Sequence, residues 1–297
     1  MIEPEQAIDQ VNEIFGKHPG HRALHAKGAF YAGTFTATPA AAALSRAGHL
    51  QGDPVPIRVR WSNGGGNPTV SDKAPDVRGM AVSFRLPDGT ATDLLGQTAP
   101  RFPVRTPEAF LAMARAVAKP YLMPLFLARH RDAFPALLAT IRSRATVPPY
   151  SYAEVTYYPV HAYRWVAADG TGTWVRYRLV PLDGHVRSGE FTGPDRLRAE
   201  ITARLADGQV NYRLEAQIAQ PDEDPDDPMV VGAGDWFDAG TLEITGPDPD
   251  RETDGEVVVF DPTRVVDGIE LSNDPILRYR PAAYSASVAR RVSPGAG

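Results

Sequence analysis

Apolar residues return at every second position through Val55, Ile57, Val59 and Trp61, the clearest strand pattern in the chain. A looser alternation around Phe30, Ala32 and Phe35 predicts a strand over Gly28–Thr36. Val82–Leu86 and Asp93–Leu95 read as further strands joined by the turn at Asp88-Gly89. Strands are also expected over Ala153–Tyr158, His161–Ala167, Thr173–Pro181, Val210–Gln220, Thr241–Thr245 and Glu256–Phe260, with Asp169–Gly172 turning a hairpin. A helical spacing runs through Ala7, Ile8, Val11, Ile14 and Phe15. Helices are predicted over Pro39–Ala47 behind the cap Thr38, then Pro107–Val117, Pro124–Arg144, Asp195–Leu205 and Asp274–Val292. The acidic, proline-containing stretches Pro221–Pro228 and Gly246–Glu256 read as solvated loops. Helices interspersed among about eight strands predict one α+β domain over residues 1–297, built on an antiparallel barrel.

Composition narrows the function classes. A formal net charge of −5 argues against a nucleic-acid-binding surface. Zero cysteines removes disulfides, thiolate metal sites and a cysteine nucleophile together. The start carries no basic or apolar leader region, so a cytoplasmic location is expected. The apolar run Leu122–Ala128 is broken by Pro124 and ended by Arg129, so nothing is expected to span a membrane, and no membrane partner is expected.

Two segments carry candidate chemistry. On the last helix Arg280 and Tyr284 are four apart and Arg291 returns two turns later, so all three share a face. A guanidinium beside a phenol favours the phenolate, and a tyrosinate can hold ferric iron as an axial ligand of haem. Taken alone, that helix reads as a solvated basic helix packing one tyrosine on the core. The second segment is Arg22-Ala23-Leu24-His25-Ala26-Lys27-Gly28, where His25 stands just before a strand. A hydroxyl at Ser62, at the end of the strongest strand, can orient an imidazole.

These blocks together resemble the haem catalases. Arg22-x-x-His25-Ala-Lys-Gly28 is similar to that family's distal-histidine signature. Arg60-Trp61-Ser62, then Asp76-Val77-Arg78-Gly79-Met80-Ala81-Val82, resemble its next blocks. Asp93-Leu94-Leu95-Gly96 with Pro100, Phe102, Arg105, Pro107 and Phe110 resembles the one after, and Gly268-Ile269-Glu270-x-Ser272 with Arg280, Tyr284 and Arg291 resembles the proximal region. The blocks stand in family order from residue 22 to residue 291. The resemblance implies an eight-stranded catalase-type barrel with surrounding helices and a C-terminal haem-ligand helix. It implies haem b, with Tyr284 on the iron and Arg280 stabilising its phenolate. His25 becomes the distal acid–base, held by Ser62. Arg22, Arg60 and Arg291 pair with the propionates, Leu24 joins the cofactor-binding set, and Phe102 and Phe110 line the distal pocket.

Three departures from the family pattern shape the expected activity. Gln97 stands where the family places an asparagine that helps bind peroxide; it is kept as the second catalytic candidate. Gly64 replaces a channel-narrowing valine, which predicts a wider channel. The chain is far shorter than a full catalase, which resembles the shortened catalase-related peroxidases and leaves no identifiable nicotinamide nucleotide site. The expectation is a peroxidase that uses hydrogen peroxide or an organic hydroperoxide with a small organic reductant, retaining weak catalase activity. True catalase turnover, a hydroperoxide isomerase of the allene oxide synthase type and a non-enzymatic haem carrier are the other readings. Without a long N-terminal arm a homodimer is expected.

Overall fold

The computed structural model describes residues 2–184, 189–248 and 257–292. Its helices, in chain order, are α1 (Pro4–Phe15), α2 (Pro39–Leu44), α3 (Pro107–Ala118), α4 (Met123–Arg129), α5 (Ala133–Arg142), α6 (Arg196–Asp207) and α7 (Pro275–Val292). Its strands are β1 (Gly28–Ala37), β2 (Val55–Asn63), β3 (Arg78–Arg85), β4 (Ala91–Gln97), β5 (Tyr163–Val166), β6 (Gly172–Pro181), β7 (Val210–Ile218), β8 (Trp236–Pro247) and β9 (Ile269–Leu271).

All nine strands form one antiparallel sheet in the order β4-β3-β2-β1-β8-β7-β6-β5-β9. The expected α+β class holds. The sheet has nine strands rather than eight because Ile269–Leu271 adds to β5. It curls, and two isolated bridges, Gln97 with Tyr158 and Tyr157 with Leu179, join the β4 end to β6. The expected barrel is therefore a curled sheet linked by single bridges rather than by a continuous ladder.

Alternation decides which face is buried. Val55, Ile57, Val59 and Trp61 on β2 enter one core with Tyr31, Phe35, Val82, Phe84, Leu214 and Leu242. A second apolar cluster lies under α3–α5 and contains Phe102, Val104, Phe126, Val160 and Ile276. A third joins Ala7 and Val11 of α1 to Leu111 of α3, with Leu24 and Tyr279 packed against it.

Three predicted elements differ. Ala153–Tyr158 is not a strand: the Ser151 side chain caps a single 3-10 turn at Tyr152–Glu154, and only Tyr157 and Tyr158 bridge to the sheet. The predicted helix Pro124–Arg144 is two helices, because the polar run His130-Arg131-Asp132 leaves the helical path at His130 (φ −125°, ψ 63°). The predicted strand Glu256–Phe260 begins at a residue outside the described ones, and 257–260 take no regular structure. Of the two acidic loops, Pro221–Pro228 is a run of turns, and the second lies largely outside the described residues.

Candidate active site

The alternation that sends Trp61 inward turns its neighbours Arg60 and Ser62 to the opposite face of β2. There the cross-strand register lines up Gly28, Ser62, Gly79, Gln97 and Tyr158 in one row across β1–β4 and the bridging segment. Residues in such a row share a face. The irregular segment before β1 lies along the end of this row. His25 N–H donates to the Gly64 carbonyl (3.0 Å) and Ala26 N–H to the Gly65 carbonyl (3.1 Å). Lys27 anchors the segment through Asp72 (3.0 Å) and Asp195 (2.6 Å), so the lysine of this motif is structural.

His25 itself has a left-handed backbone (φ +54°), one of two such non-glycine residues among those described. Its Nδ1 lies 3.0 Å from Ser62 Oγ. The ring fits because position 79 has no side chain: a Cβ there would stand 2.7 Å from both Cε1 and Nδ1 of His25 and 2.8 Å from Ser62 Oγ. Burial pushes the His25 imidazole down to about 3, and Arg60, Arg280 and Arg22 reinforce the shift by disfavouring a further cation. The imidazole is therefore neutral at every ordinary pH. In the tautomer whose Nδ1–H donates to Ser62, Nε2 presents a free lone pair.

The same arginines reach the last helix. Burial raises the Tyr284 phenol, while the charges of Arg280 and Arg22 pull it back. The charge of Arg280 also acts on His161, where it disfavours a further cation, and on Tyr163, where it opposes the upward push of burial. The Ala23 amide reaches Ser287 Oγ at 3.4 Å, tying the His25 segment to α7 one turn past Tyr284. Arg22 donates to the Val258 carbonyl (2.7 Å), and Arg60 lies with its guanidinium 5.6 Å from the Phe30 ring centroid. Arg291 is buried in the last turn of α7.

Sequence reasoning missed one part of this neighbourhood. His161 Nδ1 lies 2.5 Å from Asp274 Oδ2, both side chains fully buried. The other oxygen of Asp274 accepts from the amides of Ile276 (2.8 Å) and Leu277 (3.3 Å), so one carboxylate caps α7 and holds a histidine. Among the described residues His161 Nε2 and Arg280 Nη1 are buried without hydrogen-bond partners. The Asp274-Pro275 pair was legible as a helix start, but its partner lies 113 residues away.

The remaining candidates fall as follows. Gln97 is on the His25 row, its side-chain nitrogen 3.5 Å from the Arg101 carbonyl. Thr98 is committed elsewhere, donating to the Ala145 carbonyl (2.7 Å) and accepting from the Arg78 amide (3.0 Å). Phe102 and Phe110 stack at 5.6 Å, with Phe102 6.5 Å from His161. Leu24 packs in the α1–α3 cluster. The expectation at Gly64 fails: a Cβ there would meet Val77 Cγ2 at 2.5 Å and Asp76 Oδ1 at 2.9 Å, so the glycine leaves room for Val77 rather than for a channel.

These residues fit an anionic, iron-carrying group. Arg280 has a buried donor left over, the neighbouring cations Arg22 and Arg60 can meet carboxylates, and a neutral imidazole and a phenol border the same cluster. Comparison with known proteins points the same way. Residues 1–226 match the family model described as catalase. The chain is 47% identical over 298 residues to a catalase-related peroxidase of Mycolicibacterium paratuberculosis, covering 98% of this chain and 95% of that one. It is 29% identical to a catalase-related peroxidase of Synechococcus elongatus over 98% of its own length and 89% of the relative's. A fungal catalase structure superposes with a TM-score of 0.79 at 19% identity, and catalase A of Saccharomyces cerevisiae with 0.76 at 18%. This chain covers 97% of itself in both but only 62% and 64% of those longer chains. With its fold, its family match and a near full-length relative in agreement, the chain belongs to the catalase family.

Proposed function

We propose that the protein is a haem b peroxidase, reducing hydrogen peroxide or an organic hydroperoxide at the expense of a small organic donor. The observation that carries this reading is a neutral His25, held by Ser62, sharing one cationic cluster with Tyr284. Tyr284 is the residue to hold the iron, with Arg280 favouring its ionised form, and Arg22, Arg60 and Arg291 are the residues to meet the propionates. When bound, the haem supplies the iron that polarises a peroxide and stores the oxidising equivalents.

The protein's part is proton traffic and positioning. His25 Nε2 takes the proton from one peroxide oxygen and returns it to the departing one. Ser62 fixes the ring plane and tautomer for both transfers. Gln97 sits on the same row with an amide one methylene longer than the family's asparagine. Holding a second peroxide for oxidation demands placement within about an ångström, so donor oxidation is favoured over oxygen evolution. Thr98 cannot stand in, because its hydroxyl is already used.

The test is a steady-state comparison of dye oxidation with oxygen evolution on haem-replete protein, alongside Tyr284→Phe and His25→Ala. Tyr284→Phe should lose haem or change its absorption spectrum; normal loading with an unchanged spectrum overturns the ligand assignment. His25→Ala should keep haem and slow the reaction with peroxide by roughly 10²-fold or more. Vigorous oxygen evolution with negligible dye oxidation would instead assign true catalase activity.

A further inference from the structure

We propose that the outer face of the helical layer formed by residues 115–147 docks on an anionic lipid bilayer. The inference stands on surface chemistry and does not depend on the peroxidase reading. It departs from the expectation of no membrane partner, which rested on the lack of a spanning segment; surface docking needs none.

Three observations meet here. The first is apolar exposure. Val117, Tyr121, Leu125, Phe134, Ile141 and Val147 are large apolar side chains left in solvent, Tyr121 at 74% and Ile141 at 72% exposure. They come from α3, α4, α5 and their connections, whose inward residues Ala109, Ala116, Phe126 and Ala133 share one apolar cluster. These elements thus carry apolar residues that are buried in one shared cluster and others that stand in solvent. Single exposed apolar residues need no explanation, but a concentration of them on one layer marks an interaction surface.

The second observation is charge. Between residues 115 and 144 the chain places six cations, Arg115, Lys119, Arg129, Arg131, Arg142 and Arg144, against one acid, Asp132. This stands out in a chain whose formal net charge is −5. Asp132 is already paired with Arg105 from outside the segment, at 2.6 Å. Among the described residues none of the six cations is in an ion pair.

The third observation is the mixture itself. Long cationic side chains interleaved with protruding Tyr, Phe, Leu and Ile suit a boundary where apolar tips enter the acyl region and cations stay at the headgroups. A second copy docking this face on itself would bring two uncompensated cationic sets together. The complementary occupant is a surface that is anionic outside and apolar beneath.

The experiment is flotation of the full chain with phosphatidylcholine vesicles, with and without roughly 30% phosphatidylglycerol. Binding is expected to the anionic vesicles at about 0.1 M salt and release at about 1 M, where the Debye length falls to ~3 Å. The variant Tyr121→Ser/Phe134→Ser/Ile141→Ser should weaken binding at least ~10-fold, and Arg129→Glu/Arg131→Glu/Arg142→Glu about 100-fold. Both should keep wild-type melting temperature, oligomer size and turnover of a soluble peroxide. No binding to anionic vesicles at low salt overturns the proposal, as does equal binding to neutral ones. Loss of oligomerisation in the serine variant would overturn it in favour of a second copy. Capture by polyglutamate that the serine variant leaves unchanged would overturn it in favour of an acidic protein.

Discussion

Adding one carbon at Gly79 should disable the chemistry while leaving the fold standing. The Cβ of Gly79→Ala would lie 2.7 Å from two atoms of the His25 ring and 2.8 Å from Ser62 Oγ, where ordinary contact begins at 3.4 Å. The imidazole must therefore move by about 0.7 Å, since neither strand of the β2–β3 ladder can yield without breaking its register. A shift of that order breaks the 3.0 Å contact with Ser62 and takes Nε2 off its line to the substrate. Misplacement near 1 Å costs roughly 10²-fold in rate, while overpacking of this size costs about 1–3 kcal/mol of stability. The assay is stopped-flow reaction of the haem-loaded variant with peroxide, beside a thermal melt. Gly246→Ala is the control, because among the described residues a Cβ there meets nothing within 4 Å. A folded Gly79→Ala protein reacting within about threefold of wild type would refute the placement of His25 over that glycine.

Other expectations follow from the same geometry. Asp274→Ala removes both the α7 cap and the partner of buried His161, so chemical denaturation should register a loss of about 3 kcal/mol, with Asp274→Asn milder. Burial holds the imidazole of His49 near 3 against an ordinary value of 6.5, so the unfolded chain binds the extra proton first. That contribution to stability is intact above pH ~6.5 and is lost as pH falls toward ~3, by at most about 1.4 kcal/mol per pH unit. His49→Leu should flatten the acid limb of a melting-temperature titration, and an unchanged limb would contradict this. Gln97→Asn should raise oxygen evolution relative to dye oxidation in the same preparation; an unchanged ratio would remove Gln97 from the account of selectivity.

Much of the curled sheet could be read from the chain because its strands alternate, as Val55–Trp61 shows, and because β3 and β4 are joined by a short glycine turn. Tyr157 and Tyr158 look like strand residues, yet the chain there only crosses between β4 and β6, and a pattern of period two cannot distinguish one bridge from a ladder. The break between α4 and α5 is marked by the polar run at His130–Asp132, but the apolar residues on either side continue a helical spacing across it. At the site, His25 and Ser62 were found as separate motifs and do meet. The His161–Asp274 pair was invisible because neither residue carries a local signal of its partner, and proximity across 113 residues is made by the sheet rather than by spacing. Gly64 misled for the opposite reason: a missing side chain means open space only if nothing else moves in, and Val77 has.

The left-handed backbone at His25 also limits what this position can become over evolutionary time. Asparagine, aspartate and histidine enter that region of conformational space far more readily than other side chains, and β-branched or bulky ones do so at a cost. Glutamate, lysine and tyrosine, which could serve another acid–base reaction at the same place, would first have to bear backbone strain of ~1–2 kcal/mol. Mutational drift at position 25 is thereby filtered by conformation before selection acts on chemistry, and the shortest route to a new activity on this scaffold runs through residues around the histidine rather than through the histidine itself.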